Sequence, residues 1–471
     1  MPPKFGTSGL RGLVAELTDG LVADHVRAFL HSCDVGSELY LGRDLRSSSA
    51  HIASVAVRTA RDAGIDVVDC GALPTPALAL AALEARAGAL MVTGSHIPDD
   101  RNGLKFYAVA GEITKDDEAA ILNALGQKSR ALTAKLRKDD EATSRFRDRY
   151  LNAFGADALC GMRVGVYAHS SVGRDMLAGL LDDLGAAVIE LGRAEHFVAV
   201  DTEAVDAVTC ARLRDWAAHG EFDAIVSTDG DADRPLLTDA AGEIIPGDVL
   251  GQITAQFLGA EVVVTPVSSN SGVVLSARFA TVERTRIGSP FVIAGIRAHA
   301  GARVVGYEAN GGFLLGFDAA CPHGILPRLL TRDCILPIVA TLLASKAEGS
   351  VAARVAQEPP RFTAADRLEN VQTDVSGAFI AALTAGNKAS TELLSALGLP
   401  PAQGTNTIDG LRITTENGVD LHLRPSGNAP ELRIYVEADR AEAAKMLLAR
   451  AKQYLQVRLM AEGPAAMGTR R

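Results

Sequence analysis

The sequence predicts an α/β protein with three similar domains, followed by a smaller α+β domain. Three observations support this fold class. An alternation of strand-like and helix-like apolar segments occurs three times, each alternation ends in a polar loop, and the C-terminal part has a hairpin pattern instead. The length of 471 residues and the 48% share of hydrophobic residues allow several separate cores.

The first alternation shows the order of elements. Strand-like runs at 39–41, 65–70 and 88–92 are separated by helical spacing at 52–63 and by a helix at 74–86 that begins with proline. Because a helix lies between each pair of strands, we expect parallel strands with right-handed crossovers.

The second and third alternations repeat this order. Strands are predicted at 163–167, 187–191, 223–227, 261–265, 282–287 and 303–306, and helices at 174–184, 205–219, 272–279 and 291–299. The loops with Ser95, Asp229 and Glu308 should therefore occupy equivalent positions at the carboxyl ends of strands.

The C-terminal part has a different pattern. Two strand-like runs flank Asn417-Gly418, a two-residue hairpin signal, and a further strand at 432–437 precedes a helix at 441–455. We expect four domains in all. Their predicted bounds are residues 1–150, 151–247, 248–362 and 363–471.

Composition argues against several functions. The formal charge of −10 disfavours a nucleic-acid or anionic membrane surface, because such surfaces need clustered Lys and Arg. The N-terminus lacks a basic-then-apolar signal pattern, and Glu84 and Arg86 interrupt the longest apolar stretch, so we expect a cytoplasmic protein. The six cysteines form no C-x-x-C pair, which favours reduced thiols over disulfides or a zinc site.

Two polar loops are candidate sites for reaction or anion binding. Residues 5–12 combine three glycines, two hydroxyl groups and Arg11 without strand or helix periodicity, which is typical of an anion-binding loop or of a flexible terminus. Residues 93–98 place Ser95 and His96 after an apolar strand, at the edge where open α/β sheets bind ligands. Taken alone, the pair is also typical of a loop hydroxyl beside a surface imidazole.

A third loop has the composition of a metal site. Asp229, Asp231 and Asp233 alternate in a tight turn with Gly230, and three such carboxylates offer hard oxygen ligands to Mg²⁺. An EF-hand calcium loop is excluded, because it would need glycine and glutamate at later positions of the loop. The alternative is a solvent-exposed acidic turn, in which the three carboxylates would repel one another.

The fourth loop is suited to a sugar. Glu308 and Asn310 supply acceptors and a donor for vicinal hydroxyl groups, and Gly311 allows a flat ligand to approach the backbone. A glycine-rich turn without function has the same composition. The position of this loop in the repeat favours the binding interpretation.

Two further features concern phosphate and charge. Arg424, Ser426 and Asn428, with the N–H groups around Gly427, could cradle a phosphate, or they could form a hairpin turn with a surface arginine. Lys105 could balance charge near Ser95 or transfer a proton. A lone lysine is also commonly a solvated surface charge.

Four segments in this order resemble motifs of the α-D-phosphohexomutase superfamily, most closely its phosphomannomutases: residues 93–98, 229–234, 308–311 and 424–428. Residues 5–12 also match, so the resemblance covers essentially the whole chain. It implies three mixed α/β sheet domains of the phosphohexomutase type and a C-terminal α+β domain around a central active-site cleft.

The resemblance also implies an isomerase that interconverts hexose 6-phosphate and hexose 1-phosphate, with mannose as the expected sugar. The implied route uses an enzyme phosphoserine and a hexose 1,6-bisphosphate intermediate. The implied cofactors are one Mg²⁺ per active site and the bisphosphate as activator. The implied partners are hexose phosphates, without nucleic acid or membrane, and the chain would be a monomer or a homodimer.

The site residues follow from the resemblance motif by motif. Ser95 is the implied phosphoryl carrier. The other implied roles are proton transfer and phosphoryl positioning by His96, Lys105, Arg11 and Arg234, Mg²⁺ binding by Ser95, Asp229, Asp231 and Asp233, sugar binding by Glu308, Asn310 and Gly311, and phosphate binding by Arg424, Ser426, Gly427 and Asn428.

The chain departs from the common motifs at several positions. Gly94 and Ile97 stand where the family commonly has alanine and asparagine, and Gly312 stands where many members have histidine. Residues 428–430 are Asn-Ala-Pro in place of the frequent Thr-Glu-Pro. These departures leave the proton-transfer group and the preferred sugar open.

Other functions stay open as alternatives. Within the family these are phosphoglucomutase and phosphoglucosamine mutase, and on the same fold a non-catalytic protein that binds Mg²⁺ and sugar phosphates. A serine hydrolase built on Ser95 and His96 is disfavoured, because adjacent loop residues rarely aim at each other and no G-x-S-x-G elbow surrounds Ser95.

Overall fold

The computed structural model describes residues 3–6, 9–128, 132–426 and 430–461. Contacts between residues divide the chain into two compact units. The first comprises Met1–Val264, Phe279–Glu283 and Gly288–Gln357, and the second comprises Thr265–Arg278, Arg284–Ile287 and Glu358–Arg471. Among the described residues, no helix is both long and apolar enough to cross a membrane.

The first sheet is mixed and lies in the first unit. Its strands are β1 Lys4–Phe5, β2 Leu10–Leu13, β3 Glu38–Arg43, β4 Asp66–Ala72, β5 Gly88–Val92, β6 Arg101–Ala108, β7 Gly111–Glu112 and β8 Leu136–Lys138. They follow the order β1-β2-β6-β5-β3-β4-β8, with β7 beside β6. The pairs β3–β4, β3–β5 and β4–β8 are parallel, whereas β5–β6 and β2–β6 are antiparallel.

Among the described residues, the helices that accompany this sheet are α1 Asp19–Ser32, α2 Ser49–Asp62, α3 Thr75–Ala85, α4 Lys115–Asn123 and α5 Ala142–Phe154. A short 3₁₀ helix covers Val14–Glu16. Helix α1 begins after Thr18, whose side chain accepts a hydrogen bond from the N–H of Leu21. Every residue of β5 is buried, as expected for a strand in the middle of a sheet that carries helices.

The second sheet repeats the plan with fewer strands. Its elements are β9 Arg163–Tyr167, α6 Arg174–Asp183, β10 Ala187–Leu191, α7 Ala207–Gly220, β11 Ala224–Thr228 and β12 Pro235–Leu237, and the strand order is β10-β9-β11-β12. The first three strands in this order are parallel, and β12 runs antiparallel to β11.

The third sheet has the order β14-β13-β15-β16-β19. Its strands are β13 Val262–Pro266, β14 Thr281–Thr285, β15 Val304–Tyr307, β16 Phe313–Leu315 and β19 Leu329–Asp333, and a small hairpin consists of β17 Ala319–Ala320 and β18 Ile325–Leu326. The helices of this region are α8 Gly247–Phe257, α9 Gly272–Leu275, α10 Ser289–Ala298, α11 Ile335–Glu348 and α12 Val351–Val355.

The three sheets place one loop in the same way. In each, the last parallel strand is joined by a polar loop to a strand that runs antiparallel beside it, namely β5 to β6, β11 to β12 and β15 to β16. These loops contain Ser95, Asp229 and Glu308, respectively. The predicted repeat of mixed α/β sheets is therefore confirmed.

The fourth sheet lies in the second unit and is antiparallel throughout, in the order β20-β24-β23-β22-β21. Its elements are β20 Phe362–Glu369, α13 Thr373–Ala385, α14 Asn387–Ala396, β21 Ala402–Asn406, β22 Leu411–Thr415, β23 Asp420–Pro425, β24 Glu431–Ala438 and α15 Ala441–Ala461. The hairpin predicted around Asn417-Gly418 joins β22 and β23, with Thr414 opposite Asp420. The α+β character of this part is confirmed.

One expectation about secondary structure is wrong. Residues 5–12 were expected to lack regular structure, but β2 pairs with β6 over Leu10–Leu13. Close packing against β6 requires glycine here. A Cβ at Gly9 would lie 2.3 Å from the carbonyl oxygen of Leu104. The glycine-rich composition therefore serves close strand packing. The predicted boundary at residue 150 falls within α5, and the four domain bounds stay predictions.

Candidate active site

Ser95 lies in the turn after β5 and is fully buried. Its φ angle is 54°, a left-handed conformation that residues with side chains rarely adopt. The hydroxyl of Thr93 accepts a hydrogen bond from the N–H of Ser95 at 2.7 Å and donates one to Asp44 Oδ2 at 2.7 Å. The side chains of Thr93 and Asp44 thus fix the turn that follows β5.

Arg46 fixes the backbone of the loop that contains Ser95. Its buried guanidinium donates four hydrogen bonds to backbone carbonyls, those of Ser95 (2.9 Å), Ile97 (2.5 Å), Pro98 (2.7 Å) and Arg101 (2.9 Å). A Cβ at Gly94 would lie 2.6 Å from Arg46 Cζ, so the glycine at this position makes room for the guanidinium. The departure from the family motif at Gly94 therefore has a steric cause.

The three aspartates predicted, with Ser95, as metal ligands form one cluster, and Asp229 in this cluster contacts Ser95. The Ser95 hydroxyl donates to Asp229 Oδ2 at 2.5 Å. Asp229, Asp231 and Asp233 are buried, and each offers a carboxylate oxygen within 4.8 Å of the others. Within the described part of the chain, Asp231 Oδ1 and Asp233 Oδ1 are buried and accept no hydrogen bond. Such orphaned oxygens around one point fit a small divalent cation.

Cationic side chains surround these carboxylates. Lys105 Nζ donates to Asp231 Oδ2 at 2.5 Å and to Asp233 Oδ2 at 2.6 Å. Arg332 Nη2 lies 2.7 Å from Asp233 Oδ2, and Arg234 Nε lies 3.7 Å from Asp233 Oδ1. Lys105 is buried, so the interpretation of this residue as a solvated surface charge is wrong.

The pKa values of Asp229 and Asp233 shift in opposite directions. Burial raises the pKa of Asp229 well above its usual value, and the charges of Asp231 and Asp233 add to this effect. Burial acts in the same direction on Asp233, but the positive charges of Arg332 and Lys105 outweigh it and lower its pKa. A divalent cation would favour the ionised form of all three carboxylates.

Two predicted proton-transfer or positioning groups lie beside this cluster. Burial, together with Arg234 and Arg332, lowers the pKa of Arg11 to about 10, and its buried Nη2 has no hydrogen-bond partner among the described residues. Burial and the charges of Arg234 and Arg11 lower the pKa of His96 well below its usual value. The imidazole of His96 is therefore neutral at neutral pH.

Ser95 and His96 are closer than the sequence suggested. His96 Nδ1 lies 3.3 Å from Ser95 Oγ, so the expectation that adjacent loop residues do not face each other is wrong here. The shorter bond of the Ser95 hydroxyl nevertheless goes to Asp229. His96 Nε2 lies 3.9 Å from Asp201 Oδ2, which is too long for a hydrogen bond that would orient a catalytic base.

The sugar-loop candidates form a compact turn. The N–H of Gly311 donates to the carbonyl of Glu308 at 2.9 Å, and the N–H of Gly312 donates to Asn310 Oδ1 at 3.0 Å. Gly311 has a φ of 87°, which suits glycine. The carboxylate of Glu308 lies 3.4 Å from Arg332 Nη1. Because Arg332 also contacts Asp233, it links the sugar loop (residues 308–311) to the aspartate loop (residues 229–234).

The phosphate-loop candidates lie in the second unit. Arg424 Nε donates to Asp409 Oδ1 at 2.8 Å, so an aspartate holds one edge of the guanidinium. Ser426 is buried, and its N–H donates to the carbonyl of Glu431 at 2.9 Å. Gly427 and Asn428 lie outside the described residues, so their predicted contacts stay predictions.

Sequence reasoning missed three residues of this site. Asp44 and Arg46 follow β3 at its carboxyl end, an edge where ligands bind in such sheets, and this position was a usable signal. Arg332 gave no local signal, because it lies within a strand and its partners are distant in sequence.

The architecture of three repeated mixed sheets and an antiparallel fourth sheet, with a serine beside three carboxylates, is that of the phosphohexomutases. Models of all four domains of one family match the chain. They are described as phosphoglucomutase/phosphomannomutase alpha/beta/alpha domains I, II and III and C-terminal domain, and match residues 2–131, 148–242, 246–362 and 366–453, respectively. The chain belongs to the phosphoglucomutase/phosphomannomutase family.

Individual relatives agree with this assignment. The chain is 46% identical over 467 residues to a phosphomannomutase from Sinorhizobium fredii (strain NBRC 101917 / NGR234), covering 95% of this chain and 98% of the relative. It is 41% identical over 448 residues to a phosphomannomutase from Salmonella muenchen, covering 93% of each.

Solved structures share the fold. A phosphoglucomutase/phosphomannomutase family protein from Burkholderia thailandensis has a TM-score of 0.73 at 19% identity, covering 96% of this chain and 97% of the other. N-acetylphosphoglucosamine mutase from Aspergillus fumigatus, solved in complex with GlcNAc-6P and magnesium, has a TM-score of 0.55 at 13% identity, covering 97% and 96%. At these identities the likeness concerns the fold alone.

The contacts of Arg46 generate a testable prediction. Lysine at this position keeps the charge but lacks the planar fork, so it cannot bond four carbonyls at once. We expect Arg46→Lys to stay folded and to accelerate amide hydrogen exchange in residues 93–101 by about tenfold or more, measured by mass spectrometry. Arg58→Lys, on the exposed face of α2, is the matched control. Exchange at the parent rate in the Arg46 variant would remove this role.

Proposed function

We propose that the protein interconverts hexose 6-phosphate and hexose 1-phosphate, with mannose as the preferred sugar. The observation that carries this proposal is Ser95 Oγ at 2.5 Å from Asp229, inside a cluster of three buried carboxylates. The extensive identity to two phosphomannomutases supports mannose. The chain is thus an isomerase that moves a phosphoryl group within a sugar phosphate, and phosphoglucomutase and phosphoglucosamine mutase activities are the alternatives for the sugar.

The residues present fit a magnesium ion. Asp229, Asp231 and Asp233 supply hard oxygens, and two of these oxygens accept no hydrogen bond within the described part of the chain. These three residues, with a phosphate on Ser95, would hold the ion. When bound, Mg²⁺ supplies positive charge to the phosphoryl group in transfer. One ion per active site is the proposed stoichiometry.

Ser95 acts as the phosphoryl carrier in this proposal. A sugar hydroxyl oxygen attacks phosphorus in line, its bond to phosphorus forms while the bond from phosphorus to Ser95 Oγ breaks, and the hydroxyl proton ends on Ser95 Oγ. The sugar then carries two phosphates. The other phosphate returns to Ser95 by the reverse step, so no phosphate is lost and a hexose 1,6-bisphosphate can also charge the enzyme.

The surrounding side chains position charge and protons. Lys105 and Arg234 neutralise the carboxylates and the phosphoryl oxygens, and Arg11 adds a buried donor without a partner among the described residues. His96 is neutral and lies 3.3 Å from Ser95 Oγ, so it is placed to relay the hydroxyl proton. Lys105 is the second proposed proton-transfer group.

Sugar and phosphate recognition use the remaining loops. We assign the sugar hydroxyls to Glu308, Asn310 and the backbone at Gly311, as their turn geometry supports. A substrate phosphate is assigned to Arg424, Ser426, Gly427 and Asn428. Because Asp409 holds Arg424 through Nε, the Nη edge of the guanidinium is oriented for a bidentate contact. A cytoplasmic location, and a monomeric or homodimeric state, stay predictions.

A carrier serine makes a direct prediction. Ser95→Ala removes the only oxygen that can accept the phosphoryl group at this position, so mutase turnover should fall below about one-thousandth of the parent value. Coupled assays with mannose, glucose and glucosamine 1-phosphates measure both this loss and the preferred sugar. Ser54→Ala, an exposed serine on α2, should keep parent activity. A Ser95→Ala enzyme with more than a tenth of parent turnover would exclude the carrier role.

The phosphate assignment predicts the effect of a mild change at Arg424. Arg424→Lys keeps the charge but loses the planar fork, so kcat/KM should fall by roughly tenfold to a hundredfold, as expected for lost charge-assisted hydrogen bonds. Phosphorylation of Ser95 and the melting temperature should stay close to the parent values. Arg367→Lys, an exposed arginine on the same sheet, is the control. Equal kcat/KM in both variants would make the Arg424 loop a surface turn.

A further inference from the structure

Arg332 contacts two loops of the site through its guanidinium. It lies near the end of β19 and is buried. Its Nη2 lies 2.7 Å from Asp233 Oδ2 in the aspartate loop, and its Nη1 lies 3.4 Å from Glu308 Oε2 in the sugar loop. A single rigid group therefore spans two carboxylates that belong to different sheets.

The packing around Arg332 leaves space for its side chain in this position. A Cβ at Gly312 would lie 2.7 Å from Arg332 Cδ and 2.9 Å from Arg332 Cγ. A Cβ essentially never lies this close to another carbon atom, so a side chain at Gly312 would displace the stem of Arg332. The glycine at this position leaves the space that the arginine fills, which is an observation independent of the two ion pairs.

Arg332 shares one of its two carboxylate partners with a second cation. Asp233 is shared between Lys105 and Arg332 through the same oxygen. Positive charge at the aspartate cluster weakens the attraction between Asp233 and Arg332, because it competes for the same carboxylate. The remaining acidic groups that act on Arg332 are Glu112 and Glu308, and of these Glu308 belongs to the sugar loop.

We propose that Arg332 is a positioning residue that couples cation binding at Asp229, Asp231 and Asp233 to sugar binding at Glu308. The proposal rests on the proposed function, since it takes the sugar role of Glu308 from it. Cation and sugar phosphate should each tighten the binding of the other by the same factor, as linkage requires. The chain would then assemble its sugar-binding geometry only when the phosphoryl-transfer geometry is also in place.

Two variants separate this role from a merely structural one. Arg332→Lys keeps a positive charge, but a single ammonium group cannot occupy the positions of both Nη atoms. Gly312→Ala keeps Arg332 itself and displaces its stem. The matched controls are Arg354→Lys, a buried arginine on α12, and Gly20→Ala, where an added Cβ meets no atom within 4 Å.

The experiment measures binding without turnover. The full-length protein is first dephosphorylated, so that Ser95 keeps its hydroxyl but carries no phosphoryl group to transfer, and calorimetry then gives the Kd of Mg²⁺ with and without saturating mannose 1-phosphate. We expect the sugar phosphate to tighten Mg²⁺ binding by about fivefold or more, within the usual range of such couplings. Arg332→Lys and Gly312→Ala should bring this factor close to one, and the two controls should keep it.

Each outcome decides a separate question. A coupling factor near one in the dephosphorylated parent, or a full factor in either Arg332→Lys or Gly312→Ala, overturns the role of Arg332 and leaves the proposed function standing. If Arg332→Lys does not fold, Gly312→Ala decides alone. If mannose 1-phosphate does not bind with or without Mg²⁺, and glucose 1-phosphate and glucosamine 1-phosphate also fail to bind, the proposed function is what fails.

Discussion

The burial of three aspartates at one point is the constraint on which this structure depends. Each buried carboxylate loses its hydration, and the three repel one another, so the cluster is stable only with positive charge close by. The chain meets this need with cations from four separate segments. These are Arg11 on β2, Lys105 on β6, Arg234 in the aspartate loop and Arg332 on β19. The charge balance therefore requires the first and third sheets to converge on the loop of the second.

A second requirement is that the serine should be held in one position. Phosphoryl transfer demands in-line geometry. A displacement of the nucleophile by a fraction of an ångström therefore lowers the reaction rate. Arg46 achieves this through backbone carbonyls, which leaves the side chain of Ser95 free to face Asp229. The ring of Phe197 lies 3.8 Å from the Arg46 guanidinium carbon and covers its face, so the support is packed as well as bonded.

Much of this could be predicted from local patterns. Strands β9 and β10 begin and end where the apolar runs at 163–167 and 187–191 predicted, because burial and strand periodicity act over neighbouring residues. The N-terminal strand pair was missed, because its glycines are explained by the close approach of the β6 backbone, which is distant in sequence. The position of Arg46 after β3 was a local signal, but its contacts and those of Arg332 could not be predicted from neighbouring residues. Their partners are set by tertiary packing, as in the bond from Arg46 to a carbonyl 49 residues away.

The central claim is that the phosphoryl group on Ser95 is passed to the sugar and replaced by another from the same sugar. The most direct measurement charges the enzyme with radioactive phosphate on Ser95, mixes it with unlabelled mannose 1-phosphate in the presence of Mg²⁺, and follows the label by rapid quenching. The expected result is that the label leaves the protein and appears in mannose 1,6-bisphosphate and then in mannose 6-phosphate. Label that stays on the protein during turnover, or that is released only as inorganic phosphate, would contradict it.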